Sequence, residues 1–189
     1  MSLELREVTV GPKRGTSLFA PISLRVEPGE VATLMGPSGI GKSTLLDAIG
    51  GHLAHGFVVS GEVTLNGRSV LELPAELRRI GVLFQDALLF PHLSVGDNLA
   101  FGLARKVRGA ERMRAVEAAL EQAGLSGFAA RDPATLSGGQ RARAALMRAL
   151  LAEPEALLLD EPFSRLDAEL RAEIRGFVFD HLRRRGIPG

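Results

Sequence analysis

The most informative stretch of this sequence is glycine-rich: Gly36–Thr44 fits the pattern G-x-x-x-x-G-K-[ST]. Glycines let the backbone bend sharply and approach an anion closely, and the N–H groups of such a loop form a concave anion site. A helix that begins at the end of the loop adds unpaired N–H donors. The stretch therefore predicts a nucleoside triphosphate site. The residues expected to bind the nucleotide are Gly36, Pro37, Ser38, Gly39, Ile40, Gly41, Lys42, Ser43 and Thr44.

The surroundings of the loop agree with this prediction. The apolar run Val31–Met35 comes directly before it and predicts a short buried parallel strand, and Leu45–Ile49 after it predicts a helix packed on a sheet. In this strand-loop-helix order, Lys42 is expected to reach the β- and γ-phosphates, and the Ser43 hydroxyl is expected to ligate Mg²⁺.

A second apolar run, Ala156–Leu159, is followed by two adjacent acids, Asp160 and Glu161. A buried strand that ends in an acid is the usual magnesium-holding partner of a phosphate loop, so Asp160 is expected to help hold Mg²⁺. Glu161 is expected near the γ-phosphate, where a carboxylate can orient and deprotonate water. The alternative for Glu161 is a solvated acid at a strand end.

The stretch Leu136–Gln140 reads Leu-Ser-Gly-Gly-Gln and opens a helix. Ser137 and Gln140 have the spacing of a capping box, which is a purely structural interpretation. Adjacent glycines at a helix start also favour a backbone that approaches an anion, here a γ-phosphate. Because Gly36–Thr44 already forms one phosphate site, this second one is expected to face a nucleotide held by another copy of the chain. Its expected ligand-binding residues are Ser137, Gly138, Gly139 and Gln140.

Two other regions have distinct patterns. Residues 3–26 alternate between apolar and polar and change phase near Glu7, which predicts antiparallel strands with a bulge, and Asn66-Gly67 predicts a hairpin. Residues 86–135 predict a helical insertion, with Ser94 as one helix cap. A later helix is predicted with one apolar face, formed by Met113, Val116, Leu120 and Ala123. The apolar cluster Leu88, Leu89, Phe90 and Pro91 fits either a partner contact or this insertion's own core.

Composition narrows the functional class. The net charge is +1 and no long basic run occurs, so we expect no nucleic-acid partner. No apolar run approaches 18 residues and no signal peptide is evident, so we expect the chain neither to span a membrane nor to be exported. Cysteine is absent, which excludes thiolate metal sites and suits the cytoplasm.

Together these motifs resemble the ATP-binding cassette (ABC) ATPases, and most closely the ATP-binding subunits of bacterial ABC importers, including thiamine, polyamine and uncharacterised systems. The resemblance runs from about residue 3 to the end of the chain. It implies an α/β fold: a P-loop NTPase of ABC type, with a mostly parallel sheet core, an antiparallel β subdomain and a helical subdomain. Residues 1–85 and 136–189 would form the nucleotide-binding core with its antiparallel layer, and residues 86–135 the helical subdomain.

The resemblance also implies partners and further site residues. ATP and Mg²⁺ would be the ligands, and two copies would pair head to tail around two ATP molecules. Gln85 would ligate Mg²⁺ or water and act in catalysis beside Glu161, and Asp167 would help join the two sites. Transmembrane permease subunits would dock on the helical subdomain near Leu88–Pro91, which places the chain in the cytoplasm at the inner face of the membrane.

Three departures from the family pattern are notable. Residues 10–16, where the family usually places an aromatic residue against adenine, contain none, and Phe19 is the nearest. In the stretch Ser164–Asp167, Arg165 stands where the family usually has a small residue. The chain ends at Gly189, before the strand and histidine that contact the γ-phosphate in the family. The alternatives are therefore a nucleotide-binding fragment with little hydrolysis or a soluble non-transport ABC ATPase; Leu136–Gln140 argues against a P-loop kinase.

Overall fold

The computed structural model describes residues 1–84, 89–163 and 168–189, except for the side chain of Leu170. The strands are β1 (Leu3–Pro12), β2 (Ile22–Val26), β3 (Phe57–Leu65), β4 (Arg68–Ser69), β5 (Ile80–Leu83) and β6 (Ala156–Leu159). The helices are α1 (Lys42–Gly50), α2 (Ala75–Arg78), α3 (Val95–Gly102), α4 (Gly109–Gln122), α5 (Gly138–Leu151) and α6 (Ala168–Arg185). None of the described helices is long and apolar enough to cross a bilayer.

The chain divides into two units. The first comprises residues 1–82, 155–160 and 179–189, and the second comprises residues 83–154 and 161–178. The strands β1 to β4 belong to the first unit, and the helices α3, α4 and α5 belong to the second. The phosphate loop and Asp160 both lie in the first unit.

An antiparallel sheet with the strand order β2-β1-β3-β4 forms one layer of the first unit. The predicted bulge is confirmed: Glu7 has φ 47°, and the pairing register shifts between Leu5 and Val8 and between Arg6 and Thr9. On the neighbouring strand Gly61 has φ 93°, and a Cβ there would lie 2.4 Å from the Glu7 carbonyl oxygen. Only glycine fits this close approach of two backbones.

The predicted hairpin is also confirmed. Asn66 and Gly67 have φ 54° and 76°, so both central residues of the turn are left-handed, as a two-residue hairpin loop requires. The turn pairs Leu65 with Arg68 at the start of β4. The side chains of Val63 and Leu65 are fully buried, because alternate residues of β3 face the core.

The expected strand at Val31–Met35 is wrong. No strand forms over these described residues, and Met35 is 92% exposed. The backbone of this segment pairs only at its beginning, where the Ala32 N–H donates to the Gly189 carbonyl and the Gly189 N–H donates to the Glu30 carbonyl. An apolar run becomes a buried strand only where a neighbouring strand completes its hydrogen-bond ladder, and within the described residues this pairing does not continue beyond Ala32.

Helix α1 packs against the sheet through its apolar face. Leu45, Ala48 and Ile49 are buried, and the helix contacts β1 and β6. The predicted strand at 156–159 is confirmed as β6, which pairs with β5. Because β6 ends at Leu159, Asp160 lies directly at the carboxyl end of this strand.

In the second unit α3 and α4 pack on α5 and on each other. Ser94 caps α3 as predicted, since its hydroxyl accepts a hydrogen bond from the Asp97 N–H at 3.1 Å. On α4 the residues Val116 and Leu120 are buried as expected, but Met113 is 71% exposed. Met113 lies in the first turns of α4. The sequence keeps its apolar periodicity there, but the Met113 side chain is not covered by the neighbouring helices.

Candidate nucleotide-binding site

The phosphate loop is built from residues with unusual backbone conformations. Gly39 and Gly41 have φ 82° and 102°, in the left-handed region that glycine adopts without strain. Gly41 is the N-cap of α1, with no side-chain hydrogen bond to the first turn. The backbone N–H groups of that turn are therefore left for another acceptor, and the helix end carries a partial positive charge suited to phosphate.

Lys42 closes this loop on itself. Its Nζ donates hydrogen bonds to the carbonyl oxygens of Gly36 and Pro37, both at 2.9 Å. The ammonium group is thus held over the loop by groups that carry no net charge. An arriving phosphate would offer a charged acceptor in the same place, so the attraction between opposite charges would be added to the hydrogen bond.

The two residues expected to hold the metal lie next to each other. The Ser43 hydroxyl donates to Asp160 Oδ1 at 2.9 Å. This bond orients the hydroxyl so that its remaining lone pairs are available to a cation. A hydroxyl and a carboxylate are oxygen donors of the type that Mg²⁺ prefers, so the donor set fits the expected ion.

Sequence reasoning missed one acid of this site. Asp47 lies one helical turn after Ser43 on α1 and is half-buried. Burial raises the pKa of Asp47, the nearby Asp160 carboxylate raises the pKa further, and His52 lowers it. The spacing of four residues from Ser43 was the signal that could have placed Asp47 on this side of the helix.

Leu18 and Phe19 supply apolar surface beside the loop. A Cβ added to Gly41 would lie 2.8 Å from Leu18 Cδ1 and 3.2 Å from Phe19 Cε1. These side chains therefore pack directly against the loop backbone, and Gly41 is needed for space as well as for its dihedral angle. The sequence left open what contacts adenine, and Leu18 and Phe19 are apolar groups that the structure places beside the loop.

The start of α5 has the predicted capping box. The Ser137 hydroxyl accepts from the Gln140 N–H at 3.2 Å, and the Gln140 side chain accepts from the Ser137 N–H at 3.0 Å. The structural interpretation of this motif is thus confirmed. Binding of a γ-phosphate by Ser137–Gln140 stays a prediction.

Glu161 directly follows Asp160 and has φ 43°. A residue with a side chain rarely adopts this left-handed conformation, and such strain is concentrated at functional sites. Its catalytic role stays a prediction. Gln85 and Leu88 lie outside the described residues, as do Arg165 and Asp167.

The sequence matches a known protein family. The sequence profile described as "ABC transporter" matches residues 19–164, which include the phosphate loop, the start of α5 and β6. The chain belongs to the ABC transporter family of ATP-binding domains. The expected fold class is therefore confirmed.

Individual relatives of this ABC domain agree. It is 54% identical over 171 residues to the uncharacterised ABC transporter ATP-binding protein YnjD of Escherichia coli K12, covering 90% of this chain and 79% of YnjD. It is 50% identical over 154 residues to the sulfate/thiosulfate import ATP-binding protein CysA of Mycobacterium bovis, covering 81% of this chain. The match spans only 43% of CysA, less than half of that protein.

A solved structure shares the fold. The protein cbiO1 of Clostridium perfringens, described as part of the ABC transporter complex cbiONQ, superposes with a TM-score of 0.84 at 30% identity. The match covers 98% of this chain and 75% of cbiO1. The ABC ATP-binding domain is therefore established by sequence and by structure.

The far end of α1 in this ABC domain is held by Arg78, which is 7% exposed. Its Nη1 donates to the carbonyl oxygens of Ala48 and Ile49 at 2.6 and 2.8 Å. Its Nε and Nη2 donate to the carbonyls of Leu73 and Leu71, both at 2.8 Å. The guanidinium thus satisfies carbonyls that the end of a helix leaves without partners and places a cation at the negative end of the helix dipole.

Replacing Arg78 with methionine should lower the free energy of unfolding by about 3 kcal/mol, because buried carbonyls lose a charged donor. Urea denaturation followed by circular dichroism measures this. The matched control is Arg79→Met: Arg79 is adjacent but pairs with Glu155 on the surface, with a side chain 53% exposed, so it should cost under about 1 kcal/mol. Equal losses in the two variants would contradict the role given to Arg78.

Proposed function

We propose that this chain is the ATP-binding and ATP-hydrolysing subunit that energises an ABC import system across the cytoplasmic membrane. The observation that carries the proposal is the 2.9 Å hydrogen bond between Ser43 and Asp160. It lies beside the phosphate loop, and the ammonium of Lys42 is held over that loop. This arrangement joins a phosphate site to an oxygen-donor pair suited to Mg²⁺. CysA, a relative, is itself named as a sulfate/thiosulfate import ATP-binding protein.

Each residue of the site has a proposed part. The N–H groups of Gly36–Thr44 and the ammonium of Lys42 bind the phosphates of ATP. Ser43 and Asp160, together with Gln85, would hold Mg²⁺, which when bound neutralises charge on the β- and γ-phosphates. Glu161 orients and deprotonates the attacking water.

The proposed assembly requires two kinds of partner. A second copy would bring its Ser137–Gln140 to the γ-phosphate, since glycines at the start of a helix suit an anion. Transmembrane permease subunits would dock on the helices of the second unit, at the inner face of the cytoplasmic membrane. The description of cbiO1 as part of a transporter complex supports such an arrangement.

The test is steady-state hydrolysis of Mg-ATP as the concentration of the chain is raised. If two copies complete each site, the rate per chain should climb with concentration, and chelation of Mg²⁺ should abolish it. Isothermal titration calorimetry on the same samples measures ATP binding separately from turnover.

The other outcomes are distinct. ATP binding without turnover at any concentration would favour the alternative of a nucleotide-binding chain with little hydrolysis. Absence of ATP binding would contradict the proposal as a whole. A rate per chain that is independent of concentration would contradict the shared site.

A further inference from the structure

Three aromatic side chains, Phe90, His92 and Phe101, form a surface in the second unit, here named the aromatic surface. The rings of Phe90 and Phe101 meet edge to face with centroids 4.8 Å apart, and His92 lies 5.9 Å from Phe90. Phe101 is 64% exposed. In the proposed function, this surface lies on the helices that would meet the permease.

The position of this surface is set by one buried amide. Asn98 on α3 is fully buried, and its Nδ2 donates to the carbonyls of Phe90, Leu93 and Ser94 at 3.0 to 3.2 Å. Its Oδ1 accepts from the Phe90 N–H at 2.7 Å. A single side chain therefore fixes the backbone of the segment that carries Phe90 and His92.

Arg148 on α5 contacts both the amide and the aromatic surface. Its Nη1 donates to Asn98 Oδ1 at 3.3 Å, and its Cζ lies 4.9 Å from the centre of the Phe90 ring. Burial partly desolvates the Arg148 guanidinium and thereby lowers its pKa. A desolvated cation is attracted more strongly to an aromatic ring. A Cβ added to Gly102 would lie 2.2 Å from the Arg148 carbonyl oxygen, so α3 and α5 meet closely at this point.

The other end of α5 is the Ser137–Gln140 motif. Arg148 follows Gln140 by eight residues along the same helix, which corresponds to about 12 Å of helix length. Between them Ala144, Ala145 and Leu146 are buried, which holds the helix in the packed interior of the unit. Coupling between two sites can be carried by packed side chains and rigid secondary elements, and α5 is an element of this kind.

We infer that Arg148 is a positioning residue that ties the aromatic surface to the nucleotide-facing end of α5. The inference rests on the proposed function, in which Ser137–Gln140 meets the nucleotide of a second copy. Arg148 links the two ends because it is fixed to α5 and contacts both Asn98 and Phe90. Without it, the segment that carries Phe90 loses its direct side-chain contact with α5, so it should not follow a response of α5 to nucleotide.

The sequence provides a clean spectroscopic test, because the chain contains no tryptophan and no tyrosine. An F101W substitution places one reporter in the aromatic surface and keeps a ring against Phe90. Its emission is recorded with and without saturating Mg-ATPγS, while calorimetry measures nucleotide binding in the same samples. Arg148→Met is then added to remove the cation, Arg148→Lys to restore it, and Arg143→Met as the control. Arg143 lies on the same helix but pairs with Glu173 at 3.3 Å.

We expect F101W to change its emission on nucleotide binding. Adding R148M should reduce that change to less than about a third, because the link between α5 and the aromatic surface is lost. The dissociation constant for the nucleotide should change by less than about twofold, because the substitution lies outside the phosphate loop. Adding R148K should restore at least about half of the change, since an ammonium group can also lie over the ring. Adding R143M should leave the change intact.

The inference is overturned by a full emission change in the presence of R148M, or by no change in F101W while calorimetry shows binding. An equal loss with R143M would also overturn it, because any disturbance of α5 would then suffice. Absence of binding in every variant contradicts the proposed function instead, and the inference falls with it.

Discussion

Mg-ATP binding should weaken by about 100-fold when Lys42 is replaced by alanine, because the site loses charge-assisted hydrogen bonds to the phosphates. The structure shows where that charge is held: the Lys42 ammonium lies 2.9 Å from the carbonyls of Gly36 and Pro37, directly over the loop. Removing it also leaves those carbonyl oxygens facing the phosphate without a cation between them. Calorimetric titration with Mg-ATP measures the loss.

The sequence offers a matched control for this variant. Only three lysines occur in the chain, and Lys106 is an exposed one outside the phosphate loop. Lys106→Ala removes the same charge and should change ATP affinity by less than about twofold, since Lys106 is exposed and lies outside the phosphate-binding motif, and salt screens exposed charges. Undiminished ATP binding in Lys42→Ala would eliminate the assignment of Gly36–Thr44 as the nucleotide site.

The second large effect concerns hydrolysis. Glu161→Gln should lower the turnover rate by about 1,000-fold, because an amide cannot accept the proton of the attacking water. ATP binding should be almost unchanged, since the substitution keeps the shape of the side chain and leaves the phosphate loop intact. The result should be an ATP-bound pair of chains that does not separate. Single-turnover hydrolysis and light scattering at saturating ATP measure the two consequences.

Glu153 is a suitable control for this variant. It is exposed and has φ 51°, close to the φ 43° of Glu161, so Glu153→Gln makes the same chemical change on a similar backbone. Turnover should be unaffected there. Normal hydrolysis by Glu161→Gln would remove Glu161 as the general base, and a monomer at saturating ATP would count against the paired arrangement.

Features determined by local chemistry were predictable from the sequence. The turn at Asn66-Gly67 and the caps at Ser94 and Ser137 each depend on residues within a few positions of one another, and the bulge at Glu7 is marked by a local change of phase in the apolar pattern. The loop residues Lys42 and Ser43 were predictable for the same reason, since the motif that contains them is contiguous. Their partner Asp160 was predictable because it follows a recognisable strand.

Features that depend on distant neighbours were not predictable. Val31–Met35 has the composition of a buried strand, but its pairing is decided by residues far along the chain, such as Gly189. In the sequence Asp47 is one acid within a predicted helix, and its place near Asp160 depends on the packing of α1. Arg78 stood in a short polar segment with no motif, and its burial follows from the folding of that segment over the end of α1.

The bonding of Arg78 has a consequence for the order of events during synthesis. The phosphate loop is chemically complete once residue 44 is made, but the helix that follows it ends in carbonyls whose donor is 29 and 30 residues further on. Short helices are marginal on their own, so α1 should gain lasting order only when Arg78 has joined the chain and reached it. The nucleotide loop would then acquire its rigid base late, as a product of long-range closure in the emerging N-terminal half. Its motif alone does not provide that base.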